Sequence, residues 1–306
     1  IGSYVVKHLS GHGHRVRVIA RNPHKCPGLA DLPGVELRYA DLRDFAAVAD
    51  YLRGIQAVVH IAYCPGIRSS ALSLLETDTR ISVFLFECAA RMGVSTFLYT
   101  STTSVNDSVY DGPVFVDGEL VDTVRRRTRQ NPVSLYGAAK AASENYLKAL
   151  SHRYPVRLAI IRPGYTFGNP VIPGAPIEND TRFADIARKA VRGEDIRVVH
   201  NDGTQFIWAG HLARLYSAVL GASSNRETYF GLSRPFVGWE TVAREAVALS
   251  ESTSRVVVTN AGEGPEPVRF DVGDMEREFG LRFDPAERIT EHLRYLLSIA
   301  PAPDEP

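Results

Sequence analysis

Cysteine is scarce in this chain. Three occur in 306 residues, Cys26, Cys64 and Cys88, too few and too scattered for a disulfide framework or a Cys-x-x-Cys metal knuckle. That usage suits a reducing compartment, and the sequence reads as cytoplasmic. A net charge is missing too: 35 lysines and arginines balance 35 aspartates and glutamates. No global field therefore recruits nucleic acid or a membrane surface. No apolar run approaches the roughly 18 residues that a membrane span needs, and no charged-then-apolar leader is visible. His12 and His14 stand between glycines and read as a solvated turn, so no metal site is expected. The chain also lacks an initiating methionine. It begins at Ile1–Gly2 and runs straight into an amphipathic helix, as would a fragment whose first strand lies upstream.

What is present is ordinary for a soluble globular protein, with 44% apolar and 23% charged residues. The length suits one large α/β domain or two unequal domains sharing a core. Short β-branched runs alternate with helical patterns, the mark of a parallel sheet flanked by helices. Strands are predicted at 16–20, 35–39, 57–62, 97–100 and 156–162. Helices are predicted at 44–52, with Asp44 as cap, at 72–92, closed by Gly93, and at 134–152. Later helices near 181–193, 210–221, 239–250 and 287–299 alternate with strands near 197–199, 229–232 and 255–258. Residues 165–180 read as a long loop, and the acidic, Pro-rich end from Pro301 as a disordered tail. This order predicts an α/β protein: a doubly wound parallel sheet with a smaller C-terminal lobe. In such sheets ligands sit beyond the carboxyl ends of the strands.

One motif there carries chemistry. Tyr136-Gly-Ala-Ala-Lys140 places a phenol and an ammonium one turn apart on one helical face. A lysine beside a phenol favours the phenolate, whose unperturbed pKa is about 10, and so lets the tyrosine exchange a proton with an alcohol or ketone. Alone this spacing is common by chance. About thirty residues upstream, however, a strand ends in Thr100-Ser101-Thr102-Thr103-Ser104, whose hydroxyls can hold a substrate oxygen for that transfer.

With these motifs together the sequence resembles the extended short-chain dehydrogenase/reductases, the NAD-dependent epimerase/dehydratase family, over nearly its whole length. The resemblance implies a Rossmann-type doubly wound parallel sheet over 1–165, a smaller α/β substrate lobe mainly over 166–300, and a tail at 301–306. Gly2 looks like the third glycine of the family's G-x-x-G-x-x-G fingerprint, whose front would precede Ile1. Asp41, followed by Leu42, looks like the aspartate that contacts adenine, and Ala62 ends the strand that passes over the cofactor. Arg162-Pro163-Gly164, continuing to Gly168, looks like the family segment beside the nicotinamide. By the same resemblance Tyr136 is the acid/base, Lys140 binds the ribose and tunes the tyrosine, Thr102 holds the substrate oxygen, and Thr100 and Ser101 line the cofactor site. A homodimer pairing through the helices at 72–92 and 134–152 is also implied, although an apolar stripe can equally face the sheet.

Four features depart from the family pattern. The front of the glycine loop is absent. The strand at 16–20 ends in Ala20-Arg21 where NAD-binding members place an acidic residue for the ribose hydroxyls; Arg21 can pair a 2′-phosphate, which favours NADP over NAD. Thr204 takes the place of the arginine that clamps a nucleotide-sugar pyrophosphate, and His211 that of an aspartate. Asp78 and Ile81 replace an asparagine and a glycine, a change read as one of packing and given no chemistry. The run Arg125-Arg126-Arg127-Thr128-Arg129 can attract an anionic substrate or simply form a solvated face. The leading expectation is an NADPH-dependent reductase acting on a small molecule at a secondary alcohol or ketone. The alternatives are a nucleotide-sugar epimerase or dehydratase that retains NAD, and a non-catalytic NADP-sensing regulator.

Overall fold

The computed structural model describes residues 1–306 except 23–26, 63–69, 111–114, 117–118, 121–122, 174–180, 261–266 and 302–306. Cys26, Cys64, all of the expected tail but Pro301, and parts of the loops at 104–134 and 165–180 therefore lie outside the described residues. Along the chain run α1 (Gly2–Gly11), β1 (Val16–Ala20), β2 (Val35–Tyr39), α2 (Phe45–Tyr51), β3 (Ala57–His60), α3 (Ala71–Leu74), α4 (Arg80–Arg91), β4 (Thr96–Thr100), α5 (Leu135–Arg153) and β5 (Arg157–Pro163). Then come α6 (Thr181–Arg192), β6 (Ile196–Val199), α7 (Ala209–Gly221), β7 (Glu227–Gly231), α8 (Trp239–Leu249), β8 (Val256–Thr259), α9 (Gly273–Phe279) and α10 (Ala286–Ile299).

The central sheet is all parallel, in the order β7–β5–β4–β3, with β4 at its middle pairing Thr96 to Thr100 against Arg157 to Ile161. The middles of its two central strands, 97–99 and 158–161, are apolar because helices cover both faces. Alternation then sorts the side chains. Phe97, Tyr99, Leu158 and Ile160 turn to one face, where Val48 of α2, Leu85, Phe86 and Ala89 of α4, and Leu147 of α5 meet them. Leu98, Ala159 and Ile161 turn to the other, against Val5 and Leu9 of α1 and Leu212 and Tyr216 of α7. Each such fully buried large side chain contributes about 1.5–3 kcal/mol by leaving water. A third cluster joins α6, α8 and α10, built from Phe183, Ile186, Val242, Ala243, Ile289 and Leu293. There β6 and β8 form their own parallel pair.

β1 and β2 make a separate parallel pair, and among the described residues no ladder joins it to the central sheet. Local signals behave as their chemistry dictates. Asp44 caps α2 by accepting from the Ala47 amide at 3.2 Å, and Gly93 ends α4 with φ +79°, a left-handed turn that glycine adopts without strain. Several details differ from the sequence expectation. Thr166–Phe167 of the expected loop form a short strand beside Ile207–Trp208, and α9 is not among the expected helices. β3 stops at His60, so Ala62 stands two residues past the strand. The single helix expected over 72–92 is divided by a π-helical turn at Leu75–Thr79, whose buried residues are Asp78 and Thr79.

Candidate active site

The carboxyl ends of the parallel strands assemble the expected residues. At the end of β4 the Ser101 amide still bonds the Ile161 carbonyl at 2.8 Å. The chain then leaves the sheet into a 3₁₀ segment, Thr103–Tyr110. Thr102 is buried at that corner, its Oγ1 accepting from the Ser104 amide at 3.2 Å.

The next long helix, α5, is fastened to this same corner. Its cap, Ser134, accepts from the Gly137 amide at 3.0 Å, and Asp107 receives the Val133 amide at 2.6 Å and the Ser134 amide at 3.3 Å. The chain between is cinched at its neck by Asn131 N–H to Val105 O at 2.9 Å and Asn106 Nδ2–H to Arg129 O at 2.8 Å. Gly137 shows how close the approach is, because a Cβ there would lie 2.1 Å from the Ser104 carbonyl oxygen. Only a glycine lets the first turn of α5 press on the backbone beside Thr102. Tyr136 adjoins it, half-buried, and Lys140 follows one turn on.

Lys140 is 1% exposed. Its Nζ donates to the Thr100 carbonyl at 3.2 Å, pairs with Asp78 at 3.1 Å, and lies 6.0 Å from the Tyr136 ring centroid. Burial lowers the lysine pKa and the Asp78 charge opposes that fall. Thr100 Oγ1 shares a 2.6 Å hydrogen bond with the Tyr216 hydroxyl, whose own pKa burial pushes up. Pro163 closes β5, and Gly164 runs beside Thr103, whose Oγ1 would be 3.6 Å from an added Cβ. Thr100, Ser101, Thr102, Tyr136, Lys140, Pro163 and Gly164 are thus brought to one end of the sheet.

The remaining expected residues lie at other strand ends. Ala20 pairs with Tyr39, which brings Arg21 and Asp41 to the same edge of β1 and β2. There Arg43 grips Asp41 with two bonds of 2.9 and 2.6 Å, holding the carboxyl well below its usual range, and Arg21 adds to that pull. Arg43 is the hydrogen-bonded partner of that carboxylate, and Leu42 follows half-buried. Ala62 is exposed beyond β3, and Gly2 opens α1 with nothing within 4 Å of an added Cβ.

Thr204 sits in a two-residue antiparallel ladder opposite Val237. His211 stacks on Phe283 at 4.7 Å, and burial with Arg214 and Arg288 nearby lowers its pKa to about 4. It is a packed, neutral side chain. Arg126 is tied to Glu227 at 2.7 Å and Asp274 at 2.9 Å. With Arg127, Lys148 and Arg226 it lines a cavity of about 320 Å³ at the beginning of β7, the end of the strand remote from Tyr136.

Sequence reasoning missed three groups here. Asp78 reaches Lys140. His60 is buried with Nε2 at 3.1 Å from Ser82 Oγ, its pKa lowered to about 3 by burial and then by Lys140. Arg162 turns from the strand end to meet Glu144 of α5 at 2.8 and 2.7 Å. Burial opposes ionisation of Glu144, but the Arg162 hydrogen bonds and charge outweigh it and lower the pKa. The available signal was an acidic residue on the inward face of an otherwise apolar helix, at positions 78 and 144.

No described helix is long and apolar enough to cross a membrane, and among the described residues no group of three or more His, Cys, Asp or Glu side chains is placed to hold a metal. Comparison with known proteins agrees with the geometry. The profile of the family described as "NAD dependent epimerase/dehydratase family" matches residues 1–229. An NAD-dependent glucose-6-phosphate dehydrogenase of Haloferax volcanii is 24% identical over 252 residues, 76% of this chain and 85% of that protein. A bifunctional dihydroflavonol 4-reductase/flavanone 4-reductase of Malus domestica is 25% identical over 199 residues, 61% of this chain and 57% of that protein. The structure of a UDP-glucuronic acid 4-epimerase from Bacillus cereus in complex with NAD superposes with a TM-score of 0.78 at 15% identity, covering 98% of this chain and 96% of that one.

Proposed function

The chain belongs to the NAD dependent epimerase/dehydratase family and is an enzyme of the extended short-chain dehydrogenase/reductase kind; from that premise we propose that it is an NADPH-dependent reductase of a small-molecule ketone. The observation that carries the chemistry is the junction of Thr102, Tyr136 and Lys140 at one corner, held by Gly137 against Ser104. The donor set fits a nicotinamide dinucleotide lying along the strand ends. Arg21 and Asp41 would hold its adenosine end, with Gly2, Leu42 and Ala62 along the way. Thr100, Ser101, Pro163, Gly164 and Lys140 would hold the nicotinamide end.

When bound, the cofactor supplies or takes the hydride at the carbinol carbon. The protein's part is proton transfer and orientation. Thr102 donates a hydrogen bond to the carbonyl oxygen and fixes its direction. Tyr136 delivers its phenolic proton to that oxygen as the carbon is reduced, and the alcohol leaves. Lys140, inside the helix packing, would hold the nicotinamide ribose beside that phenol.

Arg21 is the support for NADP: with Arg43 it gives the adenosine end an excess of one positive charge over Asp41, suited to a 2′-phosphate. Thr204 supports a substrate other than a nucleotide sugar, since no cation stands at that position to clamp a pyrophosphate. A second reading, an epimerase or dehydratase that keeps NAD, draws on the NAD-bound epimerase of like fold.

Fluorescence titration with NADPH and NADH separately distinguishes them. The reductase reading expects tighter NADPH binding, and loss of that preference in Arg21→Ser. NAD carried through purification, or preference for NADH, would transfer the assignment to the second reading. Tyr136→Phe should abolish hydride transfer while cofactor affinity stays within a few-fold; undiminished turnover refutes the catalytic role.

A further inference from the structure

The surroundings of Lys140 carry one more step, which rests on Tyr136 being the proton donor. Asp78 lies in the π-helical turn between α3 and α4, a kind of local widening that often marks a functional position. It is 3% exposed, and its carboxylate faces the Lys140 ammonium at 3.1 Å. Its other oxygen is 3.5 Å from the Tyr99 hydroxyl, at the limit of a hydrogen bond. The lysine is therefore its principal partner.

The turn itself is anchored. Thr79 Oγ1 donates to the Ala139 carbonyl at 3.2 Å, and Ser143 Oγ of α5 lies 3.4 Å from Thr79 Oγ1. These bonds fix Asp78 against the turn of α5 that bears Lys140. Other charged and titratable groups facing the pair are few. His60 approaches from β3 and is held neutral by burial. Tyr99 approaches from β4, its ring 5.0 Å below the ammonium. Glu144 lies one turn along α5 but is committed to Arg162. Tyr216 of α7 reaches the site through Thr100 and lies near Tyr136.

Two consequences follow from the carboxylate. It fixes the ammonium in a dry site where an unpaired charge would be costly. It also makes the pair neutral as seen from the Tyr136 ring, 6.0 Å away. A lone ammonium at that range would pull the phenol strongly toward phenolate.

We propose that Asp78 is a positioning residue that clamps Lys140 and cancels most of its field at Tyr136, keeping the tyrosine a proton donor at higher pH. That state suits a carbonyl reduction, in which the phenol must give its proton up.

The test is a tyrosinate absorbance titration of the full chain, with the Tyr136→Phe protein subtracted to isolate the Tyr136 component. Asp78→Asn removes the charge and keeps the shape. It should move the Tyr136 midpoint down by about one to two pH units, from the Coulomb energy of a bare charge at this range. Adding Lys140→Met to Asp78→Asn should reverse the shift. Asp78→Glu, which keeps the charge, should leave the midpoint near that of the unaltered protein, and Asp78→Ser stands in for Asp78→Asn if the latter does not fold. An unmoved midpoint in the charge-removing variants overturns the proposal, as does an equal shift in Asp78→Glu. The titration needs neither substrate nor turnover. Failure of the reductase reading would appear instead as retained hydride transfer in Tyr136→Phe.

Discussion

Removing Glu144 and Arg162 together should damage this protein far less than the two single changes summed. The two side chains are 0% and 2% exposed and join through bonds of 2.8 and 2.7 Å. Glu144→Gln leaves the guanidinium in a dry site without its counter-charge, and Arg162→Met leaves the buried carboxylate with only the partly exposed Lys148 at 3.4 Å. Breaking a buried pair from one side costs roughly 3–5 kcal/mol. At about 2–4 °C per kcal/mol, either single change should lower Tm by roughly 6–20 °C. In the double variant no charge remains stranded. What is lost is the Gln130 amide's 2.7 Å bond to Glu144 and the Arg162 bond to Asn106 at 3.4 Å, each about 1–3 kcal/mol, with the partly exposed Lys148–Glu144 pair adding about 0–1 kcal/mol. Independent sites would instead sum to roughly 6–10 kcal/mol. Thermal and urea unfolding of the four proteins should therefore give a coupling of at least about 2 kcal/mol. A double variant as unstable as the sum of the singles would refute the reasoning.

Two further outcomes follow from the same corner. The His60 pKa of about 3 lies below the ~6.5 of an unfolded histidine, so between those values the unfolded chain binds a proton that the folded one refuses. Stability should fall with pH across that window at about 1.4 kcal/mol per pH unit; His60→Gln should flatten the slope in unfolding measured at several pH values, and an unchanged slope excludes His60 as its source. Gly137→Ala places a Cβ 2.1 Å from the Ser104 carbonyl, where backbone meets backbone. About 1–3 kcal/mol of overpacking cost is expected, with a loss of turnover larger than the loss of nicotinamide-cofactor affinity; full activity at unaltered Tm would show that α5 and Thr102 are not braced as described.

The sequence made most of this fold legible because its core elements speak through periodicity. β4 and β5 are apolar on both faces, and α5 begins at a serine whose side chain closes its first turn. Local chemistry also marked the end of α4 at Gly93. What escaped was non-local or shorter than a period. The π turn at 75–79 leaves the apolar spacing of 72–92 nearly intact, so nothing in that spacing announces it. Asp78 meets Lys140 only because two helices distant in sequence cross at Ala139, and a residue type alone cannot report that crossing. The position 78 that the sequence reading assigned to packing carries, in the structure, an ion pair with Lys140. The arginine run at 125–129 could not be placed by composition; its anchors, Glu227 and Asp274, come from the other end of the chain. The short α9 has too few turns to show a period.

The cinched neck between 105–108 and 129–134 separates two kinds of freedom. The stretch of chain it closes off enters and leaves within a few ångströms, so its length enters stability only through a slowly growing loop-closure term. Its returning limb is anchored a second time, Val124 pairing with Phe270 in the core and Arg126 with Glu227 and Asp274, while Asp107, Ser134 and Gly137 keep Thr102 and Tyr136 in register. Any redesign of this loop must therefore leave both its neck and its returning limb in place.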